Sequence, residues 1–209
     1  MSNPLFFDEI LKRRFGDVYL RIYAASPLLQ YLSFKTKSVD KSSKSRANFA
    51  NLYAIFVLVE DYINQGYDTK GDYSTYKGAI FSALFRRQRQ LPFGQKLQNH
   101  ALNNRCNDEF RKYFPRLGKY PIIRDLQKQL YWFDESLLKI DIDSKEFNIA
   151  KVILEIIHTY TSLKEEKYSS FFDSCLKLQK DSDSTNLIKF IQEQLRPNID
   201  ARIFEIVSF

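Results

Sequence analysis

SKSRANFANLYAIFVLVEDYI, residues 43–63, is the stretch that decides the fold of this chain. Its apolar side chains cover most of a helix's circumference, and a helix that is apolar nearly all round is buried. We therefore predict a central core helix over residues 47–64, ended by Gly66 where a left-handed cap is expected. Glu60 and Asp61 lie at the negative end of its dipole, so we expect them to pair with basic side chains from the next segment.

Two basic segments follow, YSTYKGAIFSALFRRQRQ (73–90) and LPFGQKLQNHALNNRCNDEFRKYF (91–114). Each predicts a helix with an apolar inner face, and LPFG predicts a short turn between them. Two helices joined in this way, the second with a polar outer face, resemble a helix-turn-helix. Asn is a poor helix former, so the many Asn residues need an explanation. One is the reading of base edges by Asn, Gln and Arg, and the other is a merely hydrophilic face.

KYPIIRDLQKQLYWFD, residues 119–134, places apolar and aromatic runs on either side of a polar Gln-Lys-Gln turn. This pattern predicts a β-hairpin, with Trp132 as a core anchor. A hairpin after a helix-turn-helix fits a wing. The predicted fold class is therefore mainly α: a helical domain with a helix-turn-helix-like core and a small β-hairpin, similar to a winged helix.

The flanking segments predict further helices. Residues 4–23 form an amphipathic helix with a kink expected at Gly16. SPLLQYLSF forms a short helix capped by Ser26, with Pro27 in its first turn. KTKSVDKSSKSR, residues 35–46, predicts a loop, either a plain linker or an arm that orders on a phosphate backbone.

Residues 145–164 predict a helix that could run on through KYSSFFDSCLKL. We take Asp141 and Asp143 as surface residues, with Asp143 or Ser144 capping this helix, rather than as a metal pair. The expected division is a helical DNA-binding domain over residues 1–139 and a helical segment over 140–209. Because the chain stops in the apolar IFEIVSF, we expect it to continue into a further domain.

The net charge of +7 is concentrated in one part of the chain. Residues 77–119 hold ten basic side chains and two acidic ones, whereas residues 120–209 hold twelve basic and fifteen acidic ones. A solvated surface usually mixes the two signs, so a concentrated basic segment indicates a polyanionic partner.

Several classes of protein are not expected. No apolar run approaches the roughly 20 residues of a membrane span, and acids and bases interrupt the N-terminus too early for a secretory signal. Cys106 and Cys175 lack metal-type spacing and predict free thiols in a reducing cytoplasm. His100 and His158 have no partner pattern, and no HExxH, CxxC or Walker loop is present. We do not expect this chain alone to be an enzyme.

SKSRANFANLYAIFVLVEDYI, GAIFSALFRRQRQLPFGQKLQNHALNNRCNDEF and RPNIDARIFEIVSF resemble the N-terminal half of a family of bacterial type II restriction endonucleases. The resemblance covers nearly the whole chain. In that family a second half carries a Mg-dependent PD-(D/E)XK nuclease core, whose motifs have no counterpart in these residues. The resemblance implies that this chain recognises DNA and a further part of the protein cuts it. It implies Mg²⁺ for that nuclease and no cofactor for this chain.

On this hypothesis the partner is double-stranded DNA, and basic and amide side chains make the contacts. The residues expected to position the DNA or read its bases are Arg86, Arg87, Arg89, Lys96, Gln98, Asn99, Asn103, Asn104 and Arg105. Those expected to contact only the backbone are Lys41, Lys44, Arg46 and Lys128.

Two alternatives stay open. The chain could be a helical interaction or assembly module whose basic face binds an acidic protein surface, including that of a second copy in a homodimer. It could also be a transcriptional regulator of the winged-helix type.

Overall fold

The computed structural model describes residues 6–36, 45–65, 81–82, 86–87, 102–180 and 189. Within these ranges the chain is mostly helical and has two small antiparallel strand pairs, which confirms the mainly α prediction. Apolar side chains from both sides of residue 139 belong to one buried cluster. The helix-turn-helix-like arrangement stays a prediction, since the expected turn at residues 91–94 lies outside the described ranges.

The predicted N-terminal helix is two helices. Helix α1 spans Phe6–Phe15 and helix α2 spans Tyr19–Ala25, with a 3-10 turn at Gly16–Val18 between them. Gly16 has φ +57°, a left-handed conformation that Gly adopts at little cost. The expected kink at this residue is thus confirmed, and it is sharp enough to end the first helix.

Helix α3 spans Pro27–Thr36. Its predicted cap is confirmed, because the N–H of Leu29 donates to Oγ of Ser26 at 3.2 Å. The prediction that the loop begins at residue 35 is wrong. Lys35 and Thr36 complete the last turn of α3, and the side chain of Lys35 is held in the interior.

Helix α4 spans Ser45–Asn64 and confirms the predicted central helix. The expected cap at Gly66 lies outside the described residues. Ala54, Ile55 and Val59 are fully buried, although they lie on different sides of the helix. Such burial explains why its sequence is apolar nearly all round.

Helix α5 spans Leu102–Tyr113, and the earlier part of the predicted helix lies outside the described residues. Strand β1 (Ile122–Asp125) then pairs antiparallel with strand β2 (Leu130–Phe133). This first hairpin confirms the one predicted near residues 120–134. Trp132 is half-buried, so it contributes to packing without being fully enclosed.

A second hairpin lies where the sequence predicted a helix cap. Strand β3 (Lys139–Ile142) pairs with strand β4 (Lys145–Asn148) through a two-residue turn, Asp143-Ser144. Both turn residues have positive φ, 51° and 62°, the geometry that suits the twist of hairpin strands. The predicted capping by Asp143 or Ser144 is therefore wrong.

Helix α6 spans Ala150–Lys180, and its length confirms that the predicted helix runs on through KYSSFFDSCLKL. It begins later than predicted because Asn148 is its cap, accepting a hydrogen bond from the N–H of Ala150 at 2.9 Å. Glu155 of α6 pairs with Arg13 and Arg14 of α1.

The core is organised around α4, which packs against α5, β2 and α6. Helix α6 also packs against α1. Among the described helices, none is long and apolar enough to cross a membrane. This arrangement places the end of α5 and the first hairpin side by side at the surface.

Candidate nucleic-acid interface

Most residues predicted to contact DNA have side chains about which the structure gives no description. Those lying wholly outside the described residues are Lys41, Lys44, Arg89, Lys96, Gln98 and Asn99. Four more residues have a described backbone but no described side chain. They are Arg46, in α4, and Asn103, Asn104 and Arg105, in α5. The described side chains are those of Arg86, Arg87 and Lys128.

Arg87 is bound to the end of α4. Its guanidinium forms ion pairs with Asp61 and Glu60 and donates to the carbonyl of Val57 at 3.4 Å. The expected pairing of Glu60 and Asp61 with the basic segment is confirmed. Because the Asp61 carboxylate is nearly buried, Arg87 balances a charge that would otherwise be costly to hold in the interior. Its neighbour Arg86 is exposed.

Lys128 is exposed at the tip of the first hairpin. Its position is set by Asp125, whose carboxylate accepts the N–H groups of Gln127 and Lys128, both at 3.0 Å. The strand that follows is braced by Phe81, whose ring stacks on Tyr131 at 4.1 Å between centroids. The tip that carries Lys128 is therefore built on a fixed turn.

Apart from Lys128, the predicted contact residues leave out a group of exposed cations in the described part of the chain. Residues 111–124, from the last turn of α5 to β1, contain five basic residues and no acidic one. With Lys128 they form a group that we call the basic surface. Its members, all exposed, are Arg111, Lys112, Arg116, Lys119, Arg124 and Lys128. The signal for this group in the sequence is the absence of any acidic residue from 111 to 124.

The acidic residues nearest the basic surface in sequence are mostly engaged by the fold. Glu109 accepts hydrogen bonds from Lys35, Tyr31 and Asn51. Asp125 holds the hairpin turn. Engaged carboxylates neutralise neighbouring cations less than free ones would. Asp108 is the exception, because it is exposed and pairs with Arg111 at 3.8 Å. The six cations of the basic surface still outnumber it, so this region keeps a positive field.

A groove of about 510 Å³ lies between the end of α5 and the first hairpin. Two hydrogen bonds fix its floor: Nδ2 of Asn107 donates to the carbonyl of Ile122 at 2.6 Å, and the Ile122 N–H donates back to Oδ1 at 3.0 Å. The Arg111 guanidinium lies 4.9 Å from the centroid of the Tyr120 ring. The polar and charged side chains along its walls are Asn107, Asp108, Arg111, Lys119, Tyr120, Arg124 and Asp134.

Beneath this region a buried polar cluster joins three helices. Lys35 of α3 pairs with Glu109 of α5, and Asn51 of α4 donates to the same carboxylate. Tyr31 donates to Oε2 of Glu109 at 3.0 Å, and burial raises its pKa well above the ordinary value. Charged groups held in this way set the position of α5 relative to α3 and α4.

Burial raises the pKa of both described thiols, Cys106 and Cys175. Burial raises the pKa of Cys106 to about 12, so this thiol is protonated at neutral pH. Within the described ranges no group of three or more potential ligands could hold a metal ion. Asp143 instead forms a two-bond ion pair with Arg21, with both distances 2.6 Å.

A scan against models of protein families, a search of curated proteins and a search of solved structures each found no match to this chain.

Proposed function

We propose that this chain binds double-stranded DNA, and that the basic surface supplies the contacts to the phosphate backbone. One observation carries the proposal: five basic residues over positions 111–124 are exposed and uninterrupted by any acid. Phosphate contacts by Lys and Arg supply most of the sequence-independent affinity of DNA-binding proteins.

The residue types along α5 support two roles for that helix. Its last turn and the hairpin carry the basic surface, while its first turn carries Asn103, Asn104 and Arg105. These three residue types can read base edges. If they do, Arg105→Ala should cost about 1–3 kcal/mol and relax specificity at one position, as the loss of a base-reading Arg does.

The resemblance noted in the sequence extends this proposal. On that basis the chain is the DNA-recognition region of a type II restriction endonuclease, whose Mg-dependent nuclease core belongs to another part of the protein. The support is the resemblance together with a basic surface held on a helical framework. The proposal of DNA binding does not depend on it.

The experiment is a fluorescence-anisotropy titration of the 209-residue chain on randomised duplex DNA across a salt series, followed by sequencing of the bound fraction. We expect binding that weakens steeply as salt rises. Enrichment of a short motif would add base reading to phosphate binding.

Lys119→Gln and Lys151→Gln form a matched pair for this experiment. Both lysines are exposed, but only Lys119 belongs to the basic surface, whereas Lys151 lies in α6. Lys119→Gln should weaken binding to all sequences alike and Lys151→Gln should not. Absence of binding even at low salt, accompanied by salt-sensitive self-association, would overturn the proposal in favour of an assembly module.

A further inference from the structure

We propose that the groove between the end of α5 and the first hairpin binds one unpaired nucleotide of DNA, with its phosphate on the cations of the groove and its base against Tyr120. This inference rests on the proposed DNA binding and deepens it. It assigns a separate role to one part of the basic surface, the part that lines the groove.

The size and construction of the groove fit a small ligand. Its volume of about 510 Å³ falls within the roughly 300–1,000 Å³ of ligand sites. Its floor is held by the paired hydrogen bonds between Asn107 and Ile122. Its far wall is held by the bond from the Asp134 N–H to the carbonyl of Pro121, at 2.9 Å. A groove fixed in this way exists before a ligand arrives.

The cations of the groove suit a phosphate. Arg111 projects from the last turn of α5, Lys119 from the connection and Arg124 from β1, so two elements and the connection between them contribute one cation each. Arg and Lys donate charge-assisted hydrogen bonds to phosphate oxygens.

The remaining walls suit a nucleobase. The Arg111 guanidinium covers one face of the partly exposed Tyr120 ring, so a base would stack on the other face, since aromatic rings are platforms for unpaired bases. Asp108 and Asp134 add carboxylates, which accept hydrogen bonds from exocyclic amino groups such as that of cytosine. Ser136 donates twice to Oδ1 of Asp134, at 3.0 and 2.7 Å, so Oδ2 can accept from a ligand.

Such a set of contacts selects an unpaired base. In a duplex the faces of each base are covered by stacking and its pairing edge is occupied, so neither Tyr120 nor the carboxylates could reach them. An unpaired or flipped base exposes both features. We therefore expect the groove to distinguish a duplex carrying one unpaired nucleotide from the same duplex fully paired.

The test uses the 209-residue chain and two duplexes of matched sequence. In one, 2-aminopurine is paired with thymine, and in the other it is a single unpaired nucleotide. We expect about tenfold tighter binding of the second duplex, within the range that stacking on an aromatic side chain provides per base. We also expect its 2-aminopurine fluorescence to be quenched on binding, because the base stacks on Tyr120.

Two substitutions at one position link the effect to the groove. Tyr120→Ala should remove both the preference and the quenching, while Tyr120→Phe, which keeps the ring, should retain them. Because the Tyr120 ring also contacts Arg111, the readout for each variant is the ratio of its affinities for the two duplexes, which cancels any loss common to both.

Equal binding of the two duplexes without quenching would overturn the groove assignment and leave the proposed DNA binding in place. A preference that survives Tyr120→Ala would also overturn it, since the base would then be held elsewhere. Failure to bind either duplex would overturn the inference and the proposed function together.

Discussion

The two hairpins have the same construction, but their charged side chains are arranged differently. Each pairs two four-residue strands in an antiparallel arrangement. In the second hairpin Asp143 is paired with Arg21, and Lys139 with Glu135. In the first hairpin the carboxylate of Asp125 accepts two main-chain hydrogen bonds within its own turn. Arg124 and Lys128 of this hairpin are exposed.

This difference separates a structural element from a candidate binding element. The second hairpin connects the N-terminal helices to the start of α6, and its described ion pairs serve that connection. In the first hairpin the Asp125 carboxylate accepts main-chain N–H groups and fixes the turn, and the side chains of Arg124 and Lys128 are exposed. The number of charges in a segment therefore says less about function than which of them the fold already uses.

The largest expected effect comes from loosening α5, on which the first hairpin is mounted. Glu109→Ala removes the carboxylate that pairs with the buried Lys35. Breaking a buried pair costs about 3–5 kcal/mol, and we expect about 3 kcal/mol because Glu109 is partly exposed. Urea denaturation measures this loss. Asp108→Ala, which removes a neighbouring exposed carboxylate, is the control, and equal stability of the two variants would contradict the account.

A second prediction compares Asn107, which bonds the first hairpin from α5, with Asn148 of the second hairpin. Asn107→Ala breaks two hydrogen bonds to Ile122 and strands a buried N–H group, at a cost of about 2 kcal/mol. Asn148→Ala removes the cap of α6 and should cost about 1 kcal/mol. Thermal unfolding measures both. DNA affinity should fall only with Asn107→Ala, so an equal fall with Asn148→Ala would remove the distinction between the hairpins.

The third prediction concerns a pair of like charges in the second hairpin. Asp141 lies directly opposite Glu146, and both are exposed. Like charges in this position destabilise a hairpin, and cross-strand pairs contribute roughly 0.2–1 kcal/mol. Asp141→Thr should therefore raise the free energy of unfolding by a few tenths of a kcal/mol. Urea denaturation measures this change. A lower free energy of unfolding in the variant would mean that Asp141 has a favourable partner.

The smallest effect is expected from the ion pair between Arg21 and Asp143. The hydrogen bond and charge of Arg21 lower the pKa of Asp143 from its usual 3.8. A carboxylate with a lowered pKa in the folded state stabilises the fold above its ordinary pKa, and this contribution disappears as the pH falls through the lowered value. Arg21→Gln should thus slightly lower the free energy of unfolding at pH 7. It should have no effect below the lowered pKa of Asp143, where the carboxyl group is protonated. A cost that persists in acid would show that the guanidinium acts through packing.

Much of the fold could be predicted from the chain because the signals were local. Ser26, the glycine at position 16 and the apolar circumference of α4 each act within one or two turns, so their patterns indicated the observed elements. The Asp143-Ser144 turn could not be predicted in this way. It requires positive φ at two residues that are not glycine, and it is held by Arg21, which is distant in sequence.

The candidate site was predicted only in part for a similar reason. The sequence alone does not distinguish Arg86, Arg87 and Lys128, which are all basic. In the structure, however, Arg87 forms ion pairs with Asp61 and Glu60 of α4. Conversely, nothing in the sequence distinguishes Arg111 and Lys119 from the other basic residues of the segment 77–119. Their significance depends on the connection between α5 and β1, which brings them to one groove. Composition identified the basic region, but packing decides which cations face solvent.

The most direct test of the central claim is the salt dependence of DNA binding for two matched triple variants. One carries Arg111→Gln, Lys119→Gln and Arg124→Gln in the basic surface. The other carries Lys139→Gln, Lys145→Gln and Lys151→Gln in and beside the second hairpin. Each phosphate contact adds about one to the slope of log affinity against log salt.

The account predicts that the first triple variant lowers this slope by about three, while the second leaves it unchanged. Equal slopes for the two variants, or a loss confined to the second, would contradict the claim that the first hairpin and the end of α5 bind DNA.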